Sequence, residues 1–213
     1  MIEIELLWIT PDAEKHIEDA GRTSYLSFDK KTADSSGKFI KMLIGFGHES
    51  VIEHACASFR ISGISRVTSH QIVRHRLASY TQQSQRYVDE GGFRFVIPHS
   101  FDSMNKLLHH SGKTMDVMRM IQEFYQHLVD EGVPKEDARY VIPNACVTQM
   151  VMTANFREWR HFIKLRGDKA AQWEIRNVAC GVLGILKHQA PNVFADLEVT
   201  KDMVVTKKRE DIK

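Results

Sequence analysis

The sequence predicts an α+β fold: a central mixed or antiparallel sheet with flanking helices and a helical segment. Two observations carry the prediction. Apolar and polar residues alternate with period two over residues 2–9, 57–61 and 93–97, which marks strands, whereas apolar residues recur at helical spacing over 39–44, 103–131, 155–166 and 169–189. The two kinds of segment also follow one another without the regular strand–helix–strand alternation of parallel sheets. The 213 residues are read as a single domain over 1–213, long enough to bury a sizeable core.

In chain order, Ile2, Ile4 and Leu6 alternate with Glu3 and Glu5 as an opening strand. Thr10 is suited to cap a helix and Pro11 to its first turn, so a helix is expected to about Ala20. A polar loop follows over about 27–37. Phe39, Ile40, Leu43 and Ile44 then share a helix face that stops near Gly45 and Gly47. Ser50-x-x-Glu53 has capping-box spacing and reads as a short turn before a strand through Ala57, Phe59 and Ile61. A helix is expected over about 64–77, a polar loop over 79–86, and a strand from Phe93 to Ile97 ended by Pro98. Residues 103–131 read as one long or broken helix with Met115, Met118, Ile121, Tyr125 and Leu128 inward, stopped by Gly132. Pro134 opens a short helix, and residues 147–153 read as extended. Asn155-x-x-Glu158 is a second capping box, starting a helix that buries Trp159, Phe162 and Ile163. A last helix over about 169–189 stops before Pro191, and the charged tail after about 200 is expected to fray.

Composition excludes several classes. Hydrophobic residues at 43% and charged residues at 26% are those of a soluble globular chain. Lys plus Arg at 29 against Asp plus Glu at 27 leaves a net charge of +2, which argues against a dedicated nucleic-acid coat. No apolar stretch approaches the roughly 20 residues of a membrane span. The acidic, alternating N-terminus does not resemble a signal peptide, and Cys56, Cys146 and Cys180 are odd in number and widely spaced. The expectation is reduced thiols in a cytoplasmic protein. There is no P-loop, and Gly45-Phe46-Gly47 follows a helix and lacks the third glycine of a dinucleotide fingerprint.

Residues 71–87 are the densest polar constellation. Arg74, Arg76 and Arg86 are interleaved with the hydroxyls of Ser79, Thr81 and Ser84 and the amides of Gln71, Gln82, Gln83 and Gln85. Guanidinium forks match phosphate oxygens bidentately, and hydroxyls and loop N–H groups complete an anion cradle. On a helix, Arg74 and Arg76 would lie about 200° apart, so each could hold its own ligand. Ser84 has no base beside it in the sequence and suits a phosphate donor better than a nucleophile. The same residues also admit a single-strand-binding loop, which the near-neutral charge disfavours. A metal-dependent hydrolase at His48, Glu49, Glu53 and His54 is disfavoured because His48 and His54 would face opposite sides of a helix; no metal site is expected.

Arg74-His75-Arg76, seven residues and then Ser84, followed by Arg86-Tyr87, resembles the R-H-R-x7-S signature of flavin-dependent thymidylate synthases. The resemblance extends from about Ala20 to Ile185. Arg22-Thr23-Ser24-Tyr25 resembles the family's flavin-contacting turn, and Gly47-His48-Glu49-Ser50-x-x-Glu53-His54 its G-H-x-[ST]-x-x-E-H segment. Gly132-x-Pro134 with Ala138-Arg139 and Pro143, and Asn155-x-Arg157-x-x-x-His161-Phe162-x-x-Leu165-Arg166, are similar to two further blocks. Many members have Asn or Ser at the place of Thr81 and an acidic residue at that of Gln82.

The resemblance implies reductive methylation of dUMP to dTMP, with FAD as cofactor in a non-Rossmann site and 5,10-methylenetetrahydrofolate and NADPH as co-substrates. It implies a homotetramer with active sites shared between subunits. Carried over position by position, Ser24, Ser50, Glu53, Arg74, His75, Arg76, Gln82, Asn155, Arg157 and His161 would contact FAD. Gln71, Arg74, Gln82, Gln83, Ser84, Gln85, Arg86, Arg139 and Arg166 would line the dUMP site, and His48 and Tyr87 are candidates for the folate side. Arg166 is the candidate catalytic group, because a fixed guanidinium stabilises charge developing on the uracil ring. Its place at a helix C-terminus, complementing the dipole, is a structural alternative, as capping is for Glu53 and Asn155.

Overall fold

In the computed structural model, which describes residues 1–101 and 108–207, the first strand, β1 (Glu3–Ile9), pairs antiparallel with β2 (Cys56–Ser65). Ile4 faces Ile61 and Leu6 faces Phe59 in this register, and a bulge at Leu7 precedes the Trp8–Ser58 pair. With β3 (Ala78–Gln82) and β4 (Val147–Asn155) the sheet runs β1-β2-β4-β3. Helices α1 (Ala13–Thr23), α2 (Ser35–Gly45), α3 (Arg66–Ile72), α4 (Leu108–Asp130), α5 (Lys135–Ala138), α6 (Phe156–Arg166) and α7 (Trp173–Gln189) complete a mixed α+β architecture.

The chain divides into two compact units. The first comprises Gly63–His70 and Gln82–Met150; the second comprises Ile2–Ser62, Gln71–Thr81 and the chain from Val151 onward. Tyr125, Phe93, Ala138 and Cys146 are buried in the first unit. In the second, Ile17, Ile40, Phe59, Ile61, Trp159, Phe162, Ile163, Val178, Val182 and Leu186 are buried. The inward residues of α6 and α7 recur every three or four positions, and their burial is the main reason these segments hold as helices. Trp159 adds a hydrogen bond from its indole N–H to the Ala57 carbonyl at 3.0 Å, and packs edge-on against Phe59.

Several sequence expectations are corrected. Thr10 does not cap α1. Its hydroxyl accepts from the Cys56 N–H at 2.9 Å, which ties the end of β1 to β2, and the helix starts three residues later after Asp12 at φ 46°. The expected helix over 64–77 is only α3, because Ile64 and Ser65 continue β2. The expected polar loop at 79–86 begins as strand β3. Phe93–Ile97 contributes a single bridge, Phe95 to Cys146, instead of a strand. Of the helix expected over 103–131, residues 103–107 lie outside the described ones. In α4, Tyr125 is buried as expected, whereas Met115 is exposed.

Helix α7 starts at Trp173, capped by the Gln172 side chain, which accepts from the N–H groups of Glu174 and Ile175. The tail does not fray at 200. Strands β5 (Leu197–Thr200) and β6 (Met203–Thr206) form a hairpin whose two-residue turn, Lys201–Asp202, has positive φ at both positions, as the twist of a tight hairpin demands. Residues 208–213 lie outside the described ones. Gly167, just past α6, gives this hairpin its seat: a Cβ there would collide with the Val204 side chain and come within 2.6 Å of the Ile163 carbonyl, while the Val204 N–H donates to the Gly167 carbonyl.

Candidate active site

The second unit holds Ser24, His48, Ser50, Glu53, Gln71, Arg74, His75, Arg76, Asn155, Arg157, His161 and Arg166; the first holds Gln82, Gln83, Ser84, Gln85, Arg86, Tyr87 and Arg139. Each set is coherent by itself.

In the second unit, α3 ends at Ile72 and the chain turns, with the His75 N–H donating to the Ile72 carbonyl at 3.1 Å. Arg74 and Arg76 therefore lie past the helix, and the helical angle between them does not apply. Both are exposed and make no ion pair among the described residues. His75, between them, is buried. Tyr80 on β3 fixes this turn. Its hydroxyl lies 3.0 Å from the Ile72 carbonyl and 2.6 Å from the His75 carbonyl, and donates into that pair. Burial, helped by the charge of Glu158, pushes its phenol up to about 12, so it remains a donor at neutral pH. Tyr80→Phe is expected to cost about 1 kcal/mol of stability, the ordinary net worth of such a bond, read as a lowered denaturation midpoint at unchanged slope.

Helix α6 supplies the other side. The Asn155 side chain caps it, accepting from the Glu158 N–H at 2.9 Å, as the capping-box spacing predicted. The Glu158 carboxylate goes elsewhere, lying 3.0 Å from His75 Nδ1. Two turns on, Arg166 Nε donates to His75 Nε2 at 3.0 Å and Nη2 donates to the Gln71 backbone carbonyl at 3.3 Å. Two of the five guanidinium N–H groups are thus spent on positioning, and the Nη1 donors have no partner among the described residues. Burial is the main cause holding the His75 imidazole below its ordinary pKa. The Arg166 charge acts in the same direction, and the Glu158 hydrogen bond opposes both.

A cleft of about 650 Å³ lies here, lined by Glu49, Glu53, Leu77, Asn155, Arg157, Glu158 and His161, within the size range of ligand sites. Glu53 pairs with Arg157 across it. No capping box forms at Ser50, because the turn over Glu49–His54 starts without a side-chain cap. Ser50 and His48 are exposed and do not line the cleft, whereas Glu49, between them, does. Ser24, the C-cap of α1, is exposed beside a second cleft of about 810 Å³ lined by Tyr25, Lys30, Lys38 and Phe39 among others. Arg22 of the same turn is structural. It is buried against Glu18 and stacked on the Phe39 ring.

In the first unit, much of the polar loop is engaged from within. The Gln82 amide donates to Ser69 Oγ at 2.9 Å and to Thr148 Oγ1 at 3.3 Å, whereas a carboxylate at this position would have to accept from the two hydroxyls. The Gln83 amide donates to Glu90, and Gln85 is buried with its amide 3.8 Å from Cys146 Sγ. Burial and the Glu90 charge push the Cys146 thiol up to about 12, which makes it a core residue and not a nucleophile. Ser84 Oγ accepts the Arg86 N–H in a local turn. Arg86 pairs with the Glu136 carboxylate at 2.8 Å and lies over the Tyr87 ring, and Arg139 Nε donates to the Glu136 carbonyl at 3.1 Å. Glu136 thus gathers two of the arginines expected to line the dUMP site.

Sequence reasoning missed Glu158, Tyr80, Glu136 and Glu90. Glu158 and Glu136 stand inside the matched blocks, but capping spacing absorbed the first and nothing local marked the second. His75, Glu158 and His161 also form a group whose ligand atoms lie within 4.8 Å of one another. Both ring nitrogens of His75 already have hydrogen-bond partners, one of them a guanidinium, which leaves neither free to hold a cation in this arrangement.

Known proteins resemble this chain over most of its length. Residues 5–192 match the family described as thymidylate synthase complementing protein. Curated relatives named flavin-dependent thymidylate synthase include one from Geobacter sulfurreducens, 43% identical over 92% of this chain and 86% of its own length. Another, from Clostridium tetani, is 39% identical over 91% of this chain and 85% of its own. A third, from Pyrococcus furiosus, is 44% identical over 76% of this chain and 67% of its own. With a match from the first strand to the end of α7 and relatives this similar along nearly the whole chain, the protein belongs to the family of flavin-dependent thymidylate synthases.

Proposed function

We propose that this chain, acting as one domain, binds FAD and methylates dUMP reductively to dTMP with 5,10-methylenetetrahydrofolate as one-carbon donor and NADPH as reductant. Formation of dTMP from dUMP follows from the family; the co-substrates and the residue roles belong to the proposal. One observation carries it: the Arg166 guanidinium is anchored by His75 Nε2 and the Gln71 carbonyl, with its Nη1 donors unspent among the described residues.

Bound FAD supplies the redox chemistry; the protein binds, orients and polarises. The residues fit that division. The exposed guanidiniums of Arg74 and Arg76, without an ion pair among the described residues, together with Asn155, Arg157 and His161 at the 650 Å³ cleft, offer anion and hydrogen-bond donors without a Rossmann turn. Ser24, Ser50, Glu53 and Gln82 complete the proposed flavin set. Arg86 and Arg139, gathered on Glu136, suit the dUMP phosphate, with Ser84 as a hydroxyl donor and Gln83 and Gln85 shaping the loop behind it. Arg166 stabilises the negative charge that builds on the uracil ring as its carbon is alkylated. His48 and Tyr87, both exposed, are assigned to the folate side. A homotetramer with active sites shared between subunits and a cytoplasmic location belong to the same proposal. The three free thiols are consistent with that location, and no described helix is long and apolar enough to cross a membrane.

The test is the visible spectrum of the purified chain, as isolated and after FAD addition and desalting, followed by turnover. Retained flavin together with dUMP-dependent NADPH oxidation and dTMP formation is expected. A chain that retains no flavin in either state, or that forms no dTMP once loaded, overturns the proposal.

A further inference from the structure

We propose that Glu158 is a positioning residue for the reaction: its carboxylate holds the His75 proton on Nδ1, which leaves Nε2 as the acceptor that aims the Arg166 guanidinium. The inference rests on the role given to Arg166 above and deepens it.

A guanidinium only donates, so the 3.0 Å contact between Arg166 Nε and His75 Nε2 requires a lone pair on Nε2. A neutral imidazole with a lone pair on Nε2 carries its proton on Nδ1. An ionised carboxylate only accepts, and the one 3.0 Å from Nδ1 takes that proton as its hydrogen bond. The three groups therefore form a directional chain from Arg166 through His75 to Glu158. The other tautomer would set two N–H donors against each other at Arg166.

The surroundings make this arrangement consequential. His75 and Glu158 are 4% and 6% exposed, so water is a poor substitute for either partner. The groups facing the imidazole are Glu158, His161 and Arg166 from α6, with the Phe162 ring edge-on at 5.0 Å, and Tyr80 of β3 at its backbone carbonyl. Among these, Glu158 is the only acidic group. At the third residue of α6, a glutamate normally turns back to cap the helix; here Asn155 caps alone and the carboxylate is used on His75.

The experiment uses the full chain loaded with FAD, as wild type and as Glu158→Gln, which keeps the volume if Glu158→Ala fails to fold. Two readouts are taken. Nitrogen-15 NMR of histidine-labelled protein, with His75 assigned by its loss in His75→Gln, reports which ring nitrogen carries the proton and does not depend on turnover. Steady-state kinetics report kcat and KM for dUMP against pH. In the wild type the proton is expected on Nδ1. Glu158→Gln, whose amide can turn either its oxygen or its NH2 toward Nδ1 and so no longer fixes the proton there, is expected to mix the tautomers and lower kcat roughly 10–100-fold, with KM little changed. Its acid limb should move to lower pH, because losing the carboxylate removes an interaction that raises the His75 pKa.

An Nε2–H tautomer in the wild type, or an unchanged tautomer in Glu158→Gln, overturns the relay. Mixed tautomers with unaltered kcat overturn the positioning role. A loss of kcat whose acid limb stays fixed points to a general packing defect and also overturns it. A wild type that forms no dTMP defeats the functional reading, and the positioning role with it, while the NMR signature still reports the hydrogen bonds separately.

Discussion

Replacing Arg166 by alanine is expected to lower kcat for dTMP formation by about 10²–10³-fold while flavin is retained, the loss typical of removing one preorganised donor from developing negative charge. The geometry makes the prediction specific. Arg166 sits in the last turn of α6, close to where the β5–β6 hairpin docks against Gly167, and its Nε and Nη2 are held by His75 and the Gln71 carbonyl. Such a guanidinium is oriented before substrate arrives, so its donors need not reorganise during the reaction. Arg166→Lys is expected to recover little of the loss, because a single ammonium cannot contact His75 and the Gln71 carbonyl while also presenting a planar edge to uracil. Since the proposed flavin contacts lie on other side chains, the visible spectrum of the loaded variant should match that of the wild type. A variant that turned over normally would remove Arg166 from the chemistry and leave it as a helix-terminal cation. The family would be unaffected by that result.

Legibility of the fold varied with how local its causes were. Helix α6 is legible because its cap and apolar stripe lie within a dozen residues. The α3–β3 region was misread because its polar composition suits a loop equally well. What makes Ala78–Gln82 a strand is pairing with β4, whose residues are about seventy positions away, and no local pattern encodes that pairing. The β5–β6 hairpin was missed for a related reason: its turn uses Lys201 and Asp202 at positive φ, where the sequence has no glycine to signal it. At the site, motif spacing named Arg74, His75, Arg76, Asn155, Arg157, His161 and Arg166, and all of them fall in one unit. It did not separate residues facing a ligand from those that brace the frame. Gln85 and Arg22 look like ligand groups in the sequence, yet each is buried on a protein partner. Glu158 looks like a cap, yet its carboxylate belongs to His75.

The largest effect on stability is expected from Arg160→Ala, at about 3–5 kcal/mol, the cost of removing one partner from a buried ion pair. The Arg160 side chain is 1% exposed, and its two Nη atoms lie 2.6 and 2.7 Å from the Asp196 carboxylate oxygens. Nη1 also donates to the Val193 carbonyl, and Nε and Nη2 donate to Glu49. The substitution would strand a buried carboxylate and a buried carbonyl together, and so loosen the segment that leads into β5. At 2–4 °C per kcal/mol for a chain of this size, the melting midpoint should fall by roughly 10 °C. The pH dependence has a definite sign. The Arg160 guanidinium beside Asp196 outweighs burial and holds that carboxyl below its ordinary pKa. Its contribution is therefore fully present above the unfolded value near 4 and lost as pH falls through the lower folded value. Asp196→Asn should accordingly be less stable than the wild type at pH 7, with the gap closing below about pH 4. The double substitution Arg160→Met with Asp196→Leu is the internal control. It removes both charges at once, so it should cost clearly less than Arg160→Ala if the penalty comes from an unpaired buried charge. Equal losses in the double and single variants would instead assign the penalty to packing around α6. Chemical denaturation at fixed pH, with the slope checked for constancy, separates the two outcomes.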